Sequence, residues 1–460
     1  MNSSRIVIVG GGLCGSLLAL RLAQRGFKID VYESRPDLRS HDISAGRSIN
    51  LALSNRGFKA LEMAGVAEEA RKICIPMYGR MIHDQSGGTF ASNYSGNGLA
   101  INSISRGDLN GLLLTHAEKH PNVNLHFNME CREIDIENNI LKFFNHESGV
   151  THEEKADVIF GTDGAGSALR KSYFMSRKFL FNFSQQYLTH GYKELEIPAK
   201  EGNHQISKDH LHIWPRGKYM LIALPNLDGS FTVTLFLGHE EGEYHFKGLD
   251  TEEKINQFFH DQFPDALALI PEIEKQFAKN PTGALGTIKC SPWYYKGNNL
   301  IMGDAAHAVV PFYGQGMNAS FEDVYELDQF IEKYQTDLSS ESPDWSRIFR
   351  EYHHSRLEDA YAIGDLAEEN YYEMRDKVAD PTFIKKRKIE MQLEQKYPDY
   401  LSKYSMVTFS EHMPYSEAMK KGREQDAFLL EYCKDRELED IVIEEVYAEL
   451  VRRSSTMSGG

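Results

Sequence analysis

Cysteine is scarce in this 460-residue chain, which holds five thiols, Cys14, Cys74, Cys131, Cys290 and Cys433. They are scattered, odd in number, and contain no C-x-x-C pair or metal-ligand spacing. That argues against a disulfide-built scaffold and a zinc site, and predicts a reducing, cytoplasmic setting. Positive charge is in deficit too, with 51 Lys and Arg against 67 Asp and Glu and a formal charge of −16. Binding to a nucleic-acid backbone needs clustered cations, so no nucleic acid is expected as a partner. No stretch approaches the ~20 apolar residues of a membrane helix. The N-terminus leads straight into an apolar segment, so no signal peptide is expected. Repeats and low-complexity tracts are missing, and the final SSTMSGG reads as a frayed tail. The length suits two or three domains with a large core.

What is present begins at RIVIVGGGLCG, residues 5–15. Ile6 to Val9 are consecutive β-branched apolar residues, the pattern of a short buried strand. Helical spacing runs from Leu13 to Arg25, so Gly10, Gly12 and Gly15 form a G-x-G-x-x-G turn from strand to helix. Gly10 suits the tight turn, Gly12 a close approach of backbone to pyrophosphate, and Gly15 close packing of helix on strand. The helix N-terminus then faces a diphosphate. A second strand, FKIDVYE, ends at Glu33, where an acid can hold a ribose hydroxyl.

Further along, GRSINLALSNRG (46–57) is partly extended and leads into a helix from Asn55. Residues 76–100, rich in Gly, Ser and Asn, read as a β excursion, followed by a helix over 103–120 and a strand over 122–127. In ADVIFGTDGAGSALR (156–170) a strand ends beside Asp163, at the carboxyl end where ligands bind in open α/β sheets. From about 180 to 290 the pattern alternates, with hairpin turns at Arg216-Gly217 and Asp228-Gly229. An antiparallel sheet with one solvated face is expected there, its other face roofing a pocket. NNLIMGDAAHAVVPFYGQGMN (298–318) places Asp304 after a strand and a second glycine-rich turn before a helix. Asp304 suits polyol hydroxyls, and the helix start at 314–318 suits negative charge on a ring. His307 reads as structural. Residues 345–452 are predicted mostly helical, with Asn370 and Met374 four apart on one face.

GGGLCG with Glu33, then GTDG, then GDAAH and GQGMN, in this order around an inserted β domain, resemble the flavin-dependent aromatic monooxygenases. GRSINLALSNRG, PMYGRMIH, HGYKEL, LHIWPRG, TVTLFL, VPFYGQGMN, ENYYEM and YSMVTFS are similar, across nearly the whole chain, to the kynurenine-hydroxylating branch of that family. The fold so implied is α/β: a Rossmann-like FAD-binding domain, an inserted antiparallel β-sheet substrate domain and a helical C-terminal region. The expected boundaries are 1–75, 101–175 and 290–330 for the FAD-binding domain, 76–100 and 176–289 for the β domain, and 331–460 for the helical region.

The resemblance implies tightly held, non-covalent FAD, with Gly10, Gly12, Cys14 and Gly15 around the diphosphate. Tyr32, Glu33, Ser34 and Arg35 would hold the adenosine end, with Cys131 bordering the adenine side. Ala52 and Arg106 would touch the cofactor, Asp304 the ribityl chain, and Met317 and Asn318 the flavin ring. No second nucleotide fold is visible, so NADPH would bind transiently near Asp163. The implied reaction is hydroxylation of L-kynurenine to 3-hydroxykynurenine with NADPH and O2 through an FAD hydroperoxide, in tryptophan catabolism toward NAD. Arg80 would meet the substrate carboxylate, with Tyr94, Asn370 and Tyr404 completing the grip, Phe312 and Pro311 walling the ring, and Met374 nearby. No catalytic side chain beyond the flavin and no metal is implied. Tyr313 departs from the Phe or His of relatives, which bears on affinity if it touches the substrate. The charged C-terminal helix and polar tail resemble the soluble bacterial form, without a membrane anchor. Oligomeric state is open, a homodimer being compatible. Two rival readings are a hydroxylase of another aromatic, such as a hydroxybenzoate, and a non-catalytic flavin redox sensor.

Overall fold

The structure, a computed structural model, describes residues 4–40, 50–334, 343–374 and 380–457. Residues 46–49 of the GRSINLAL motif and 458–460 of the tail lie outside the described residues. Helix Ile443–Met457 runs through the first part of the segment read as frayed.

Arg5–Val9 is a central strand of a six-stranded sheet ordered Tyr294–Tyr295, Asn299–Ile301, Val158–Gly161, Arg5–Val9, Lys28–Tyr32, Val123–His126. Every pair is parallel except the one at the Tyr294–Tyr295 edge. Parallel strands need cover on both faces, which is why Ile6, Val7 and Ile8 are fully buried. Helix Leu13–Gln24 packs on Arg106–Glu118 and Gly316–Tyr334, and Ser16 Oγ meets Asn110 Oδ1 at 2.9 Å. From Arg5–Val9 the chain goes first to Lys28–Tyr32 on one side and later to Val158–Gly161 on the other. The sheet therefore reverses its winding there, and a crevice opens outside the carboxyl ends of these strands.

The strand over 122–127 is present as Val123–His126. The helix expected over 103–120 starts later. Ile101–Ser105 is a strand, and Ser105 then caps helix Arg106–Glu118 by accepting from Asp108 N at 3.2 Å. Ile101–Ser105 lies between Asn50–Leu53 and Cys74–Met77 in a small sheet. A further sheet of Met129–Asp135, Ile140–Asn145 and Thr151–Lys155 was not anticipated.

The large second sheet runs Thr282–Ser291, Asn182–Ile197, Phe231–Gly238, Met220–Pro225, His210–Pro215, Gly79–His83, Thr89–Asn93. It is antiparallel except where Gly79–His83 lies parallel to His210–Pro215. The turns at 216–217 and 228–229 join its hairpins. Its expected solvated face is instead covered. Helices Glu252–Gln262, Pro264–Leu267 and Ile273–Lys279 bury Phe258, Phe259 and Phe277 against Leu195, Val233 and Leu237. The opposite face packs on residues 309–313 and on helices Trp345–Tyr372, Lys403–Thr408 and Tyr415–Lys434, where Phe312, Met374 and Tyr404, expected at the substrate, come together.

Candidate active site

The glycine turn divides its labour by space. Gly10 has φ +99°, and a Cβ there would lie 2.6 Å from Thr162 O and 2.7 Å from Asp163 Cα. A Cβ on Gly15 would lie 2.0 Å from Gly10 O. At Gly12 an added Cβ meets nothing within 4 Å, although this residue begins the helix at an ordinary φ of −70°. Gly10 and Gly15 are thus required by the fold, whereas Gly12 borders open space at a helix N-terminus, as a diphosphate cradle requires.

Glu33 is buried beside this turn. Its Oε2 accepts from Gly11 N at 2.9 Å, and its Oε1 from Arg35 N and Nε at 3.0 and 2.8 Å and from Ser34 Oγ at 3.3 Å. Burial alone would raise its pKa, but the Arg35 guanidinium and the two backbone amides hold the carboxyl below its usual range. Tyr32 departs from its expected role. Its ring stacks on Phe143 at 3.9 Å and His126 at 4.5 Å within the core, and its hydroxyl meets Arg5. Only its carbonyl reaches the turn, accepting from Gly10 N at 2.8 Å. Cys131 is brought beside this segment by Met129 N to Glu33 O (2.8 Å) and Asn128 N to Arg35 O (3.1 Å). Burial, and then the charge of Asp163, push its thiol up.

Asp163 caps the turn that follows it, accepting from Ala168 N at 2.6 Å through Oδ2, while Oδ1 is sealed and unpartnered. Burial raises its carboxyl above the ordinary value. Asp304 follows Gly303, whose φ is +57°. Among the described residues its carboxylate has no hydrogen-bond or ion-pair partner, and its charge is felt at the buried Cys14 thiol. Cys14 itself contacts Ser320 O at 3.7 Å. His307 is engaged by Asp323 Oδ2 at 2.5 Å, which also accepts from Gly303 N at 3.0 Å. Arg106 is exposed at the start of its helix.

The second glycine turn is fastened to the strand Asn50–Leu53. Asn318 donates to Ala52 O at 2.9 Å and to Gly314 O at 3.0 Å, and accepts from Ser54 N at 3.0 Å. A Cβ on Gly314, which has φ +67°, would lie 3.2 Å from Ala52 Cβ. Ala52, Gly314, Met317 and Asn318 therefore form one piece at the N-terminus of helix Gly316–Tyr334. With Gly12, Asp304 and the orphaned Asp163 Oδ1, the donor set fits FAD: an open phosphate cradle, a free carboxylate for a polyol and a helix N-terminus for a ring.

Arg80 projects from Gly79–His83. The hairpin returning through Gly87-Gly88 carries the chain to Tyr94. The Arg80 guanidinium lies 5.1 Å from the Tyr404 ring centre and 5.6 Å from that of Tyr94. These two rings stack at 5.1 Å. Arg80 Nε and the Tyr94 hydroxyl are sealed from solvent without a partner, and burial drives the Tyr94 phenol up. Asn370 Nδ2 donates to Phe312 O at 2.7 Å and to Met374 Sδ at 3.4 Å. Pro311 is exposed and opens the short turn that delivers Phe312. The Phe312 ring lies 4.4 Å from Tyr371 and 4.8 Å from Phe236.

Phe236 and Tyr371, whose rings flank Phe312, were not among the residues expected from sequence. Tyr371 adjoins Asn370 in ENYYEM and was within reach, while Phe236 is one of many apolar residues in a strand and carries no signal of its own. Tyr313 stacks on Tyr404 at 5.7 Å, beside Arg80.

A parallel sheet with a glycine cradle at its switch point and an inserted sheet roofing an aromatic pocket defines the FAD-dependent aromatic monooxygenase class. The FAD binding domain family matches residues 3–362. Kynurenine 3-monooxygenase of Flavobacterium johnsoniae is 45% identical over 442 residues, covering 96% of each chain. The Dictyostelium discoideum protein of that name is 46% identical over 437 residues, covering 93% of each. Among solved structures, p-nitrophenol 4-monooxygenase from Pseudomonas putida matches with TM-score 0.65 and 17% identity over 94% of this chain and 98% of that one. A 2-methyl-3-hydroxypyridine-5-carboxylic acid oxygenase matches with TM-score 0.64 and 18% identity over 86% and 98%. The chain belongs to the kynurenine 3-monooxygenase family. Among the described residues no helix is long and apolar enough to cross a membrane.

Proposed function

We propose that this chain converts L-kynurenine, NADPH, a proton and O2 to 3-hydroxykynurenine, NADP+ and water. FAD, when bound, takes hydride from NADPH and activates oxygen for transfer to an aromatic carbon. The observation that supports this substrate is Arg80, a half-buried cation whose sealed Nε has no protein partner, set beside the stacked rings of Tyr94 and Tyr404. A pocket that closes over an amino acid must meet its carboxylate with a cation, and the planar guanidinium binds both oxygens. The Tyr94 and Tyr404 hydroxyls would share the grip. With its Nδ2 committed to Phe312 and Met374, Asn370 keeps Oδ1 to accept from the substrate. Phe312, Phe236 and Tyr371 would hold the ring flat and keep water out, so that activated oxygen reaches carbon rather than solvent.

Gly10, Gly12, Cys14 and Gly15 would line the diphosphate, Glu33 to Arg35 and Cys131 the adenosine, Asp304 the ribityl chain, and Ala52, Met317 and Asn318 the ring. NADPH would dock transiently near Asp163, with Arg106 exposed on the cofactor side. The scattered free thiols fit a cytoplasmic location.

The deciding experiment is mass spectrometry of the product after incubation with kynurenine and NADPH. One added oxygen in kynurenine supports the proposal. NADPH oxidation stimulated only by another aromatic, or bound FAD without substrate-stimulated turnover, overturns it. The purified protein should be yellow and release FAD; release of FMN would sink the adenosine assignment.

A further inference from the structure

Arg56 is the second residue of the helix Asn55–Met63, which follows the strand that carries Ala52. It is 1% exposed, and three of its four hydrogen bonds leave the nucleotide domain for residues 406–413. Nε donates to Val407 O at 2.8 Å, and Nη2 donates to Met413 O at 2.5 Å and Met406 O at 3.3 Å. Nη1 pairs with Glu322 Oε1 at 2.8 Å, on the helix that begins at the second glycine turn. The face of the guanidinium lies 4.0 Å over the ring of Tyr415, whose hydroxyl donates to Gln315 Oε1 at 3.1 Å inside that turn.

Met406 and Val407 end a six-residue helix, Lys403–Thr408, that carries Tyr404. Carbonyls in a last helical turn have no partner within the helix. A buried carbonyl without a donor is costly, so this short helix depends on an outside donor to stay in place. Arg56 supplies it from the cofactor side. A lysine could not reproduce the arrangement, because three carbonyls and a carboxylate in different directions require the fixed fork of an arginine. Lys59, one turn on, donates to Glu411 O at 3.0 Å and gives the same loop a second, weaker tie.

We propose that Arg56 is a positioning residue that locks the Tyr404-bearing helix to the segment holding the flavin ring, and so couples substrate capture to productive oxygen transfer. The proposal rests on the function proposed above. Arg56 touches neither substrate nor cofactor. It fixes the distance between the turn at 314–318 and the tyrosine that closes on Arg80. With the lock loosened, NADPH is still oxidised, but water enters and oxygen leaves as hydrogen peroxide instead of entering the ring.

The test uses full-length, FAD-loaded Arg56→Met and Arg56→Lys. Without substrate, hydrogen exchange of backbone amides 403–413 should quicken by about tenfold in Arg56→Met, since the helix then opens locally. With kynurenine, KM should rise by about tenfold and the peroxide share of oxidised NADPH should increase, because small misplacements in a closed site are expensive. Arg56→Lys should fall between Met and the parent. Tyr415→Phe keeps the ring beneath Arg56 and removes only the link to Gln315. It carries the coupling test should Arg56→Met not fold, and a raised peroxide share is expected there too. Unchanged exchange of 403–413 in folded Arg56→Met or Arg56→Lys, or a parental peroxide share in all folded variants, would overturn the proposal. The exchange measurement needs no substrate. A parent that fails to hydroxylate kynurenine would therefore defeat the functional reading while leaving the lock itself intact.

Discussion

Arg80 lies beside two stacked tyrosine rings with its sealed Nε unpartnered, an arrangement that leaves a half-buried cation open to an anion. Truncating one member of a desolvated charge pair costs roughly 2–5 kcal/mol, tens to thousands of fold in affinity, whereas a surface arginine is worth at most about 1 kcal/mol. Arg80→Ala should therefore keep FAD and fold but lose kynurenine-stimulated NADPH oxidation. Arg80→Lys should recover part, since it restores charge without the fork. Binding of kynurenine to Arg80→Ala within twofold of the parent would end the carboxylate role. Glu33 makes a prediction in pH. Its folded pKa lies below the ordinary 4.5, so the stability it adds is complete above that value and is lost as pH falls through the folded pKa. The stability gap between the parent and Glu33→Gln, followed by urea unfolding, should be widest at neutral pH and close in acid. Arg80 and Tyr94 were named from the family resemblance, and the hairpin through Gly87-Gly88 is what brings the two side chains together. The inward turn of the Tyr32 ring was not legible, because alternation puts Tyr32 on the polar face of Lys28 and Asp30, and the Phe143 that covers it comes from a strand the sequence did not announce. Arg56 was equally silent: it acts on backbone carbonyls some 350 positions away, and a carbonyl has no residue signature.

Three glycines spaced for one turn do different work, and this can be separated by substitution. Gly12→Val should fold, since nothing lies within 4 Å of the new Cβ and φ is −70°, yet it should purify without FAD. Gly15→Ala should instead lower the yield of folded protein, because its Cβ would sit 2.0 Å from the Gly10 carbonyl oxygen. Circular dichroism and bound-flavin absorbance on both variants check the pair. Normal FAD content in folded Gly12→Val would reduce the cradle to a plain turn. This strand, turn and helix could be read from sequence because the apolar run, glycines and helical spacing all point the same way. Helices 252–279 were hidden inside a stretch dominated by period-two strands, although Thr251 accepts from Lys254 N as a helix cap does. The sheet of residues 129–155 was missed for another reason: its two outer strands are charged and mostly exposed or half exposed, so only the short middle strand Ile140–Asn145 carries an apolar pattern.

The molecule is built around separate apolar cores, one under the nucleotide sheet, one on each face of the second sheet, and one within the last helices. Charge fastens the last of these to the pocket. Asp426 lies between Lys386 and Lys403, 2.5 Å from the latter, and both lysines are largely buried. Lys403 immediately precedes Tyr404 and also pairs with Glu373 at 3.3 Å, while Lys386 keeps Glu390 at 3.4 Å. The two ammonium groups hold Asp426 ionised against the cost of its burial. Removing one partner of a buried pair typically costs 3–5 kcal/mol, and the remaining carboxylates place Asp426→Asn near the lower end, about 3 kcal/mol. The damage should stay local, because the nucleotide core shares none of these groups. Asp426→Asn should retain stoichiometric FAD, unfold its C-terminal helices at lower urea than the flavin domain releases its cofactor, and bind kynurenine more weakly through a loosened Tyr404. Far-ultraviolet circular dichroism and flavin fluorescence followed along one urea titration separate the two events. A single coincident transition at the parental midpoint would show that the buried charges are not what ties the helical cap to the pocket.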